Sequence, residues 1–460
     1  MGHTRVLAKR GYEEFASMNS GRVIVVGGGV IGAACAYFLK KSGWGTVTVL
    51  DRGQFGKACS HGNCGFVSPS HVLPLTVPGA IGQTLKALVS KNSPFSIKPR
   101  FDLALWSWLF QFARRCNERD MLASAQAIQA LLQSSRRLYD DLMAQEPFDC
   151  EWQTRGLLFP FRTIAGLEHH DQTAELLRTS FGQSLTRFAG DDVRDLEPAL
   201  KRGLAGGWHY PGDAHLRPDK LMSSWRRVLA GLGVTIRDDC EVQGFVRDGV
   251  RAVRVITQGE KIAADAFVVA AGALTPWLNR ELGCKVPIQP GKGYSITMRR
   301  PAKCPVLPLL CEEDRVAVTP LLSGYRLGST MEFAGYDASL NRRRLALLTA
   351  GAAHYFDEPV AEPIEEEWFG WRPMTPDSVP IIDRTPTMDN VLIAAGHNML
   401  GVSMAPATGK LVAEMLSGEM LHLDASRYAL ARFAHGQPGF RSANSARPQP
   451  LANDERVDPQ

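Results

Sequence analysis

The residues Arg22-Val23-Ile24-Val25-Val26 run directly into Gly27-Gly28-Gly29-Val30-Ile31-Gly32. The first five form an apolar, β-branched run, as a strand buried on both faces requires. Beyond the glycines, Ala33-Ala34-Cys35-Ala36-Tyr37-Phe38-Leu39 continues as small and apolar residues at helical spacing. Thr46-Val47-Thr48-Val49-Leu50 then reads as a second strand ending in Asp51. Strand, glycine turn, helix, strand and acid follow the order of a dinucleotide-binding βαβ unit. Gly27 lets the chain turn tightly, Gly29 has no Cβ to obstruct a pyrophosphate, and Gly32 lets the helix approach the sheet. Gly27, Gly29, Val30, Ile31 and Gly32 are therefore candidate phosphate contacts at the positive end of the helix. Asp51, with Arg52 beside it, is the candidate acceptor for two ribose hydroxyls.

A chain of 460 residues has room for two or three domains and a sizeable core. With 45% hydrophobic and 22% charged residues, the composition is that of an ordinary globular enzyme. A net charge of +5 gives no case for nucleic-acid binding. Nine cysteines, odd in number and without zinc-ligand spacing, favour reduced thiols over a disulfide framework, and no metal is expected. Residues 1–19 are polar, lack the apolar core of a signal peptide and read as an extension, with Met1 and Met18 both open as the start. Residues 436–460, rich in Pro, Ser and Asn, read as a disordered tail.

No apolar run reaches membrane-spanning length. Leu103-Ala104-Leu105-Trp106-Ser107-Trp108-Leu109-Phe110, closed by Arg114-Arg115, reads as a core helix, with a peripheral membrane contact as the alternative. A cytoplasmic location follows, either free or on the inner face of the membrane.

After Asp51 comes Cys59-Ser60-His61-Gly62-Asn63-Cys64-Gly65-Phe66, small and hydrogen-bonding residues without periodicity, which suits a ligand clamp. A redox pair of Cys59 and Cys64 lacks the CxxC spacing, and His61 has no second cluster to complete a metal site. Two long helices are expected over 103–145. A return to the first domain is expected near Gly203, with a helix opening at Pro218. Ala266-Phe267-Val268-Val269-Ala270-Ala271-Gly272 reads as a buried strand and turn, and Gly293-Tyr294-Ser295-Ile296-Thr297-Met298 and Tyr325-Arg326-Leu327-Gly328-Ser329 as antiparallel strands. Val391-Leu392-Ile393-Ala394-Ala395 leads through Gly396-His397-Asn398-Met399-Leu400-Gly401 into a helix to about Leu416.

Taken together, these pieces resemble the flavin-dependent amino-acid oxidoreductases of the D-amino-acid oxidase (DAO) family, most of all its bacterial D-amino-acid dehydrogenases. The resemblance rests on the βαβ unit, Ser60-x-x-Asn63-x-Gly65, Lys292-Gly293-Tyr294-Ser295, Arg372-Pro373-Met374-Thr375-Pro376-Asp377 with Pro380, and Gly396-His397 through Gly401. It implies an α/β fold, a Rossmann-like FAD-binding domain with an interleaved α+β substrate domain carrying an antiparallel sheet. The FAD-binding part would comprise 20–84, 203–285 and 368–433, and the substrate part 85–202 and 286–367. FAD would be bound non-covalently, with Ser60, Asn63, Gly65, Ala271, Gly272, Gly396, His397 and Gly401 joining the glycine turn and Asp51 around it. Asp383 stands where the family often carries glycine.

The implied reaction is hydride transfer from the Cα of a D-amino acid to flavin N5, giving an imino acid and then a 2-oxo acid and ammonia. A respiratory quinone is the implied electron acceptor. Arg372 is the candidate for gripping the substrate carboxylate through its planar fork, with Tyr294 and His61 as further substrate contacts. A structural pairing of Arg372 with Asp377 is the alternative. No residue is assigned as acid or base. Three other functions compete: a dehydrogenase of D-proline or hydroxyproline type, a glycine- or sarcosine-type oxidase using oxygen, and a flavoprotein subunit docked into a multi-protein dehydrogenase.

Overall fold

The computed structural model describes residues 21–82 and 95–433. The extension at 1–19 and the tail at 436–460 lie outside the described residues. Two sheets organise the chain. The first has six strands in the order Ile381–Arg384, Val391–Ala395, Ala266–Val269, Arg22–Val26, Thr46–Leu50 and Thr235–Arg237. All are parallel except the edge strand Ile381–Arg384. The glycine-turn strand Arg22–Val26 lies between its two parallel neighbours, with Val26 opposite both Leu50 and Val269. Chain order reverses there, and a ligand crevice opens at the carboxyl ends of strands at such a point.

Close packing fixes the helices on this sheet. A Cβ on Gly32 would sit 1.9 Å from the Gly27 carbonyl oxygen, so only glycine lets the helix Val30–Lys41 start so near the strand. Against that helix lies Gly401–Ser417, whose Gly409 crosses Ala34 so tightly that a Cβ would meet its backbone carbon at 2.5 Å. Pro406 lies inside this helix and has no N–H to offer the carbonyl one turn back. That carbonyl, Val402 O, accepts instead from the Tyr139 hydroxyl at 2.7 Å. Tyr139 belongs to the long helix Glu118–Gln145, which packs with the nucleotide sheet in one core. This helix, within the span 85–202, meets Gly401–Ser417 through its apolar stripe.

The second sheet runs in the order Ile364–Met374, Gln289–Met298, Gly324–Phe333, Val316–Leu321, Leu309–Cys311, Leu157–Phe161, Gly206–Tyr210 and Thr186–Ala189, and Phe95–Ile97 adds to Gly324–Phe333. Its pairings are antiparallel apart from Leu309 with Leu158 and the Phe95–Ile97 strand. Gly206–Tyr210 and Ile364–Met374 both belong to it, past the boundaries expected at 203 and 368, because each is paired along its length with neighbours in this sheet. One face carries the helix Arg342–Ala352 over a core that includes Tyr294, Tyr325 and Leu348. The other face turns toward the nucleotide sheet, and the space between them is the site.

Candidate active site

A cavity of about 2170 Å³ runs from the glycine turn, across the face of the large sheet, to the helix Leu103–Arg114. At its nucleotide end Gly27 adopts φ +107°, and a Cβ there would meet the Ala270 carbonyl oxygen at 2.5 Å. Gly29 differs: a Cβ would find only the Ser60 hydroxyl, at 3.4 Å, and would otherwise enter the cavity. The helix Val30–Lys41 starts there with no acidic residue in its first turn, and Ser60 Oγ accepts from Val30 N at 3.0 Å. Its positive end is thus left largely uncompensated, an environment suited to phosphate. Asp51 lines the same end, its carboxylate accepting from Gly28 N at 2.6 Å and Gly53 N at 2.8 Å. These two bonds fix the carboxylate and leave its remaining lone pairs for ribose hydroxyls. Arg52, Ala271, Gly272, His397 and Gly401 also line the cavity. Glycine cradle, bare helix end and fixed acid together fit the pyrophosphate and ribose of FAD.

The loop 59–66 is pinned to the large sheet by notches. A Cβ on Gly62 would lie 2.1 Å from the Trp368 indole, and one on Gly328 would lie 2.5 Å from Cys64 Sγ. The indole itself lies flat along its own strand, over Gly370. Arg326, fully buried, donates to the Asn63 carbonyl at 2.8 Å and to the His61 carbonyl at 3.3 Å, and Thr319 Oγ1 donates to the Cys64 carbonyl at 2.7 Å. The Asn63 side chain turns the loop by accepting from Gly65 N at 2.7 Å.

Arg372 lies on the cavity side of its strand. Its guanidinium crosses the neighbouring strand over Gly293, where a Cβ would collide with Cζ at 2.2 Å. It donates to the Thr330 carbonyl at 2.6 Å and the Ser329 carbonyl at 3.3 Å. Both carbonyl residues have positive φ, +123° at Ser329 and +53° at Thr330. Among the described residues no carboxylate pairs with Arg372, since Asp377 is bonded to Arg432 at 2.7 Å. Burial pulls the guanidinium pKa below its usual range, and the nearby thiols Cys59 and Cys64 offset this only slightly. Burial pushes the Cys59 thiol up to about 11 and the Cys64 thiol up as well, so both stay neutral. An uncompensated cation thus faces the cavity.

Several expected residues fall elsewhere. His61 does not line the cavity; its Nε2 lies 2.9 Å from Glu366 Oε1, turned outward from the clamp. Tyr294 lines the cavity as Arg372 does, but from the other face of its strand. Gly291 stands opposite Arg372 and Tyr294 opposite Phe369, so strand alternation puts Tyr294 on the other face. Its hydroxyl donates to Glu332 Oε2 at 2.7 Å. Gly32, Gly65 and Gly396 shape the backbone without lining the cavity: Gly65 has φ +78° and Gly396 φ +82°, both tight against neighbours. His397 is buried, 2.9 Å from Thr408 Oγ1, and burial holds its pKa down at about 3, so it is neutral. Asp383 holds the C-terminal segment by accepting from Leu430 N at 2.8 Å.

The sequence reading missed Ser329, Thr330 and Arg326. An arginine flanked by Tyr325 and Leu327 within a strand was the available signal for Arg326; nothing local marks the two carbonyls. All nine cysteines are free, and no metal-binding group occurs among the described residues.

Comparison with known proteins adds to this geometry. The family model described as FAD dependent oxidoreductase (DAO) matches residues 22–415. A D-amino acid dehydrogenase of Granulibacter bethesdensis is 32% identical over 422 residues, 90% of this chain and 100% of the relative. A D-amino acid dehydrogenase of Methylobacterium nodulans is 34% identical over 419 residues, 88% of this chain and 98% of the relative. Among solved structures, glycine oxidase from Geobacillus kaustophilus superposes with a TM-score of 0.72 at 21% identity, covering 90% of this chain and 99% of that one, a likeness of fold.

Proposed function

The chain belongs to the DAO family of FAD-dependent oxidoreductases, and on that premise we propose that it oxidises the Cα–N bond of a D-amino acid, giving an imino acid that water converts to a 2-oxo acid and ammonia. The observation that carries this reading is the Arg372 guanidinium, set in the cavity wall and held by two carbonyls with no carboxylate of its own. A planar fork in that state favours a carboxylate ligand, which it can hold through two parallel hydrogen bonds.

When bound, FAD supplies the hydride acceptor for the substrate Cα–H. The protein supplies position. Gly27, Gly29, Val30, Ile31, Asp51 and Arg52 would hold the pyrophosphate and ribose end. Ser60, Asn63, Ala271, Gly272, His397 and Gly401 would hold the rest of FAD, with Gly32, Gly65 and Gly396 shaping the backbone around them. Ser329 and Thr330 aim the Arg372 fork, and Trp368 floors the space beside it. The two sheets divide the labour, nucleotide on the parallel sheet and substrate on the mixed one. No side chain is needed as base if the amine arrives without its extra proton, and buried His397, held neutral, is not assigned that role.

Electrons then pass to a quinone at the membrane. Supporting this, the helix Leu103–Arg114 lines the cavity through Leu105, Trp108 and Phe112 while exposing Leu103, Trp106 and Phe110. No helix among the described residues is long and apolar enough to cross a membrane, so contact would be peripheral. The test is anaerobic bleaching of the flavin spectrum by D- and L-amino acids, followed by reoxidation with quinone or air. Bleaching by D-amino acids and fast reoxidation by quinone is expected. Bleaching only by glycine or sarcosine, with rapid reoxidation in air, would replace this reading with the oxidase.

A further inference from the structure

The cavity does not stop at Arg372. Trp368, Ser295, Gly328, Ala317 and Leu310 stand opposite one another across five successive strands and so share one face of the large sheet. Ala317 and Leu310 line the cavity at the far end of this row. The next residue on that face is Glu312, at the hairpin turn joining these two strands, and it too lines the cavity. Strands lie about 4.8 Å apart, so Glu312 stands about 10 Å beyond the strand whose carbonyls hold the Arg372 fork.

The Glu312 side chain is 37% exposed although it is deeply enclosed, because it faces the void. His170 Nδ1 lies 3.0 Å from Oε2, and His170 Nε2 lies 2.7 Å from the Tyr210 hydroxyl. No described residue hydrogen-bonds Oε1. His71 also lines this end, and Arg315, across the turn, is itself exposed. Burial pushes the Glu312 carboxyl up, but the His170 contact, with smaller help from Arg315 and His71, outweighs it and holds the carboxyl below the usual carboxylate range. One end of the cavity thus presents a cation to a carboxylate, and the other presents a carboxylate.

We propose that the chamber at Glu312 receives the substrate side chain and that Glu312 selects amino acids whose side chain ends in an amino or guanidino cation. This rests on the reading that Arg372 holds an amino-acid carboxylate. A cationic tip donates hydrogen bonds to Oε1 in a charge-assisted contact that a neutral tip of equal length cannot make. An acidic tip meets Glu312 as a like charge.

The test uses the FAD-loaded enzyme and the rate of anaerobic flavin reduction by D-lysine, D-arginine, D-norleucine and D-glutamate. D-Lysine and D-arginine are expected to exceed D-norleucine in the second-order rate constant of flavin reduction by at least about tenfold, with D-glutamate poorest. Glu312→Gln should bring the lysine-to-norleucine ratio close to one, and Glu312→Asp should retain part of it. Equal or better reduction by D-norleucine in the parent enzyme, or an unchanged ratio in a folded Glu312→Gln protein, overturns the proposal while leaving the amino-acid reading in place. Reduction by no amino acid of either hand overturns both.

Discussion

Arg432 Nε donates to Asp377 Oδ2 at 2.7 Å, and this pair withdraws from Arg372 the acid that stands five residues along the chain. The fork of Arg432 also reaches the carbonyls of Val379 and Pro380, so one side chain ties the C-terminal segment to the turn after the Arg372 strand. Both partners are largely buried. Arg432→Met should leave an unpaired carboxylate and cost roughly 3–5 kcal/mol in urea unfolding of the holoenzyme. A loss below about 1 kcal/mol would mean that the pair is solvent-screened.

Gly29 and Gly32 should separate cofactor binding from folding. Gly32→Ala puts a Cβ 1.9 Å from a backbone oxygen, and insoluble or unfolded protein is expected. Gly29→Val intrudes mainly on the cavity, so soluble, folded, colourless protein is expected. Circular dichroism and flavin content measure the two effects. A fully loaded Gly29→Val protein would move the pyrophosphate elsewhere.

The clamp makes a coupled prediction. Gly62→Ala should collide with the Trp368 ring, which cannot retreat because it lies over Gly370. Overpacking of this kind costs about 1–3 kcal/mol, and weaker FAD retention should follow as the loop lifts. Trp368→Leu in the Gly62→Ala background should recover part of the retention. Strictly additive losses in FAD affinity would show that the two residues do not bear on each other.

Acid should expose His397. Its pKa is about 3 in the folded protein against 6.5 for a free imidazole. Below about pH 6.5 the unfolded chain takes up a proton that the folded chain refuses until about pH 3, so stability falls with pH across that window. At about pH 5 the contribution is about 2 kcal/mol. His397→Gln should therefore lose about 2 kcal/mol less than the parent between about pH 7 and pH 5 in urea unfolding. Equal losses would mean that His397 is protonated when folded.

Local patterns carried most of the architecture. The Arg22–Asp51 unit announces itself because each residue type serves a local need: a buried strand, a left-handed turn, a close helix. The helix Gly401–Ser417 was legible for the same reason, despite Pro406, whose missing hydrogen bond is supplied from far away by Tyr139. Register was not legible. Tyr294 lies two residues from Lys292 in a recognisable motif, yet which face it takes depends on the pairing of Gly293 with Gly370. His61 was misplaced because its partner, Glu366, lies 305 residues away. The interleaving of the two sheets likewise depends on long-range pairing, which moved Gly206–Tyr210 across an expected boundary.

The central claim is that Arg372 binds a substrate carboxylate. The most direct measurement compares steady-state kinetics of parent, Arg372→Lys and Arg372→Ala proteins, each checked for folding and full FAD content. The expected result is a raised KM and lowered kcat for D-amino acids in Arg372→Lys, and kcat/KM lowered at least about tenfold in Arg372→Ala. The parent should also turn over amines lacking a carboxylate only poorly. Near-normal D-amino-acid kinetics in a folded, FAD-loaded Arg372→Ala protein would contradict the claim.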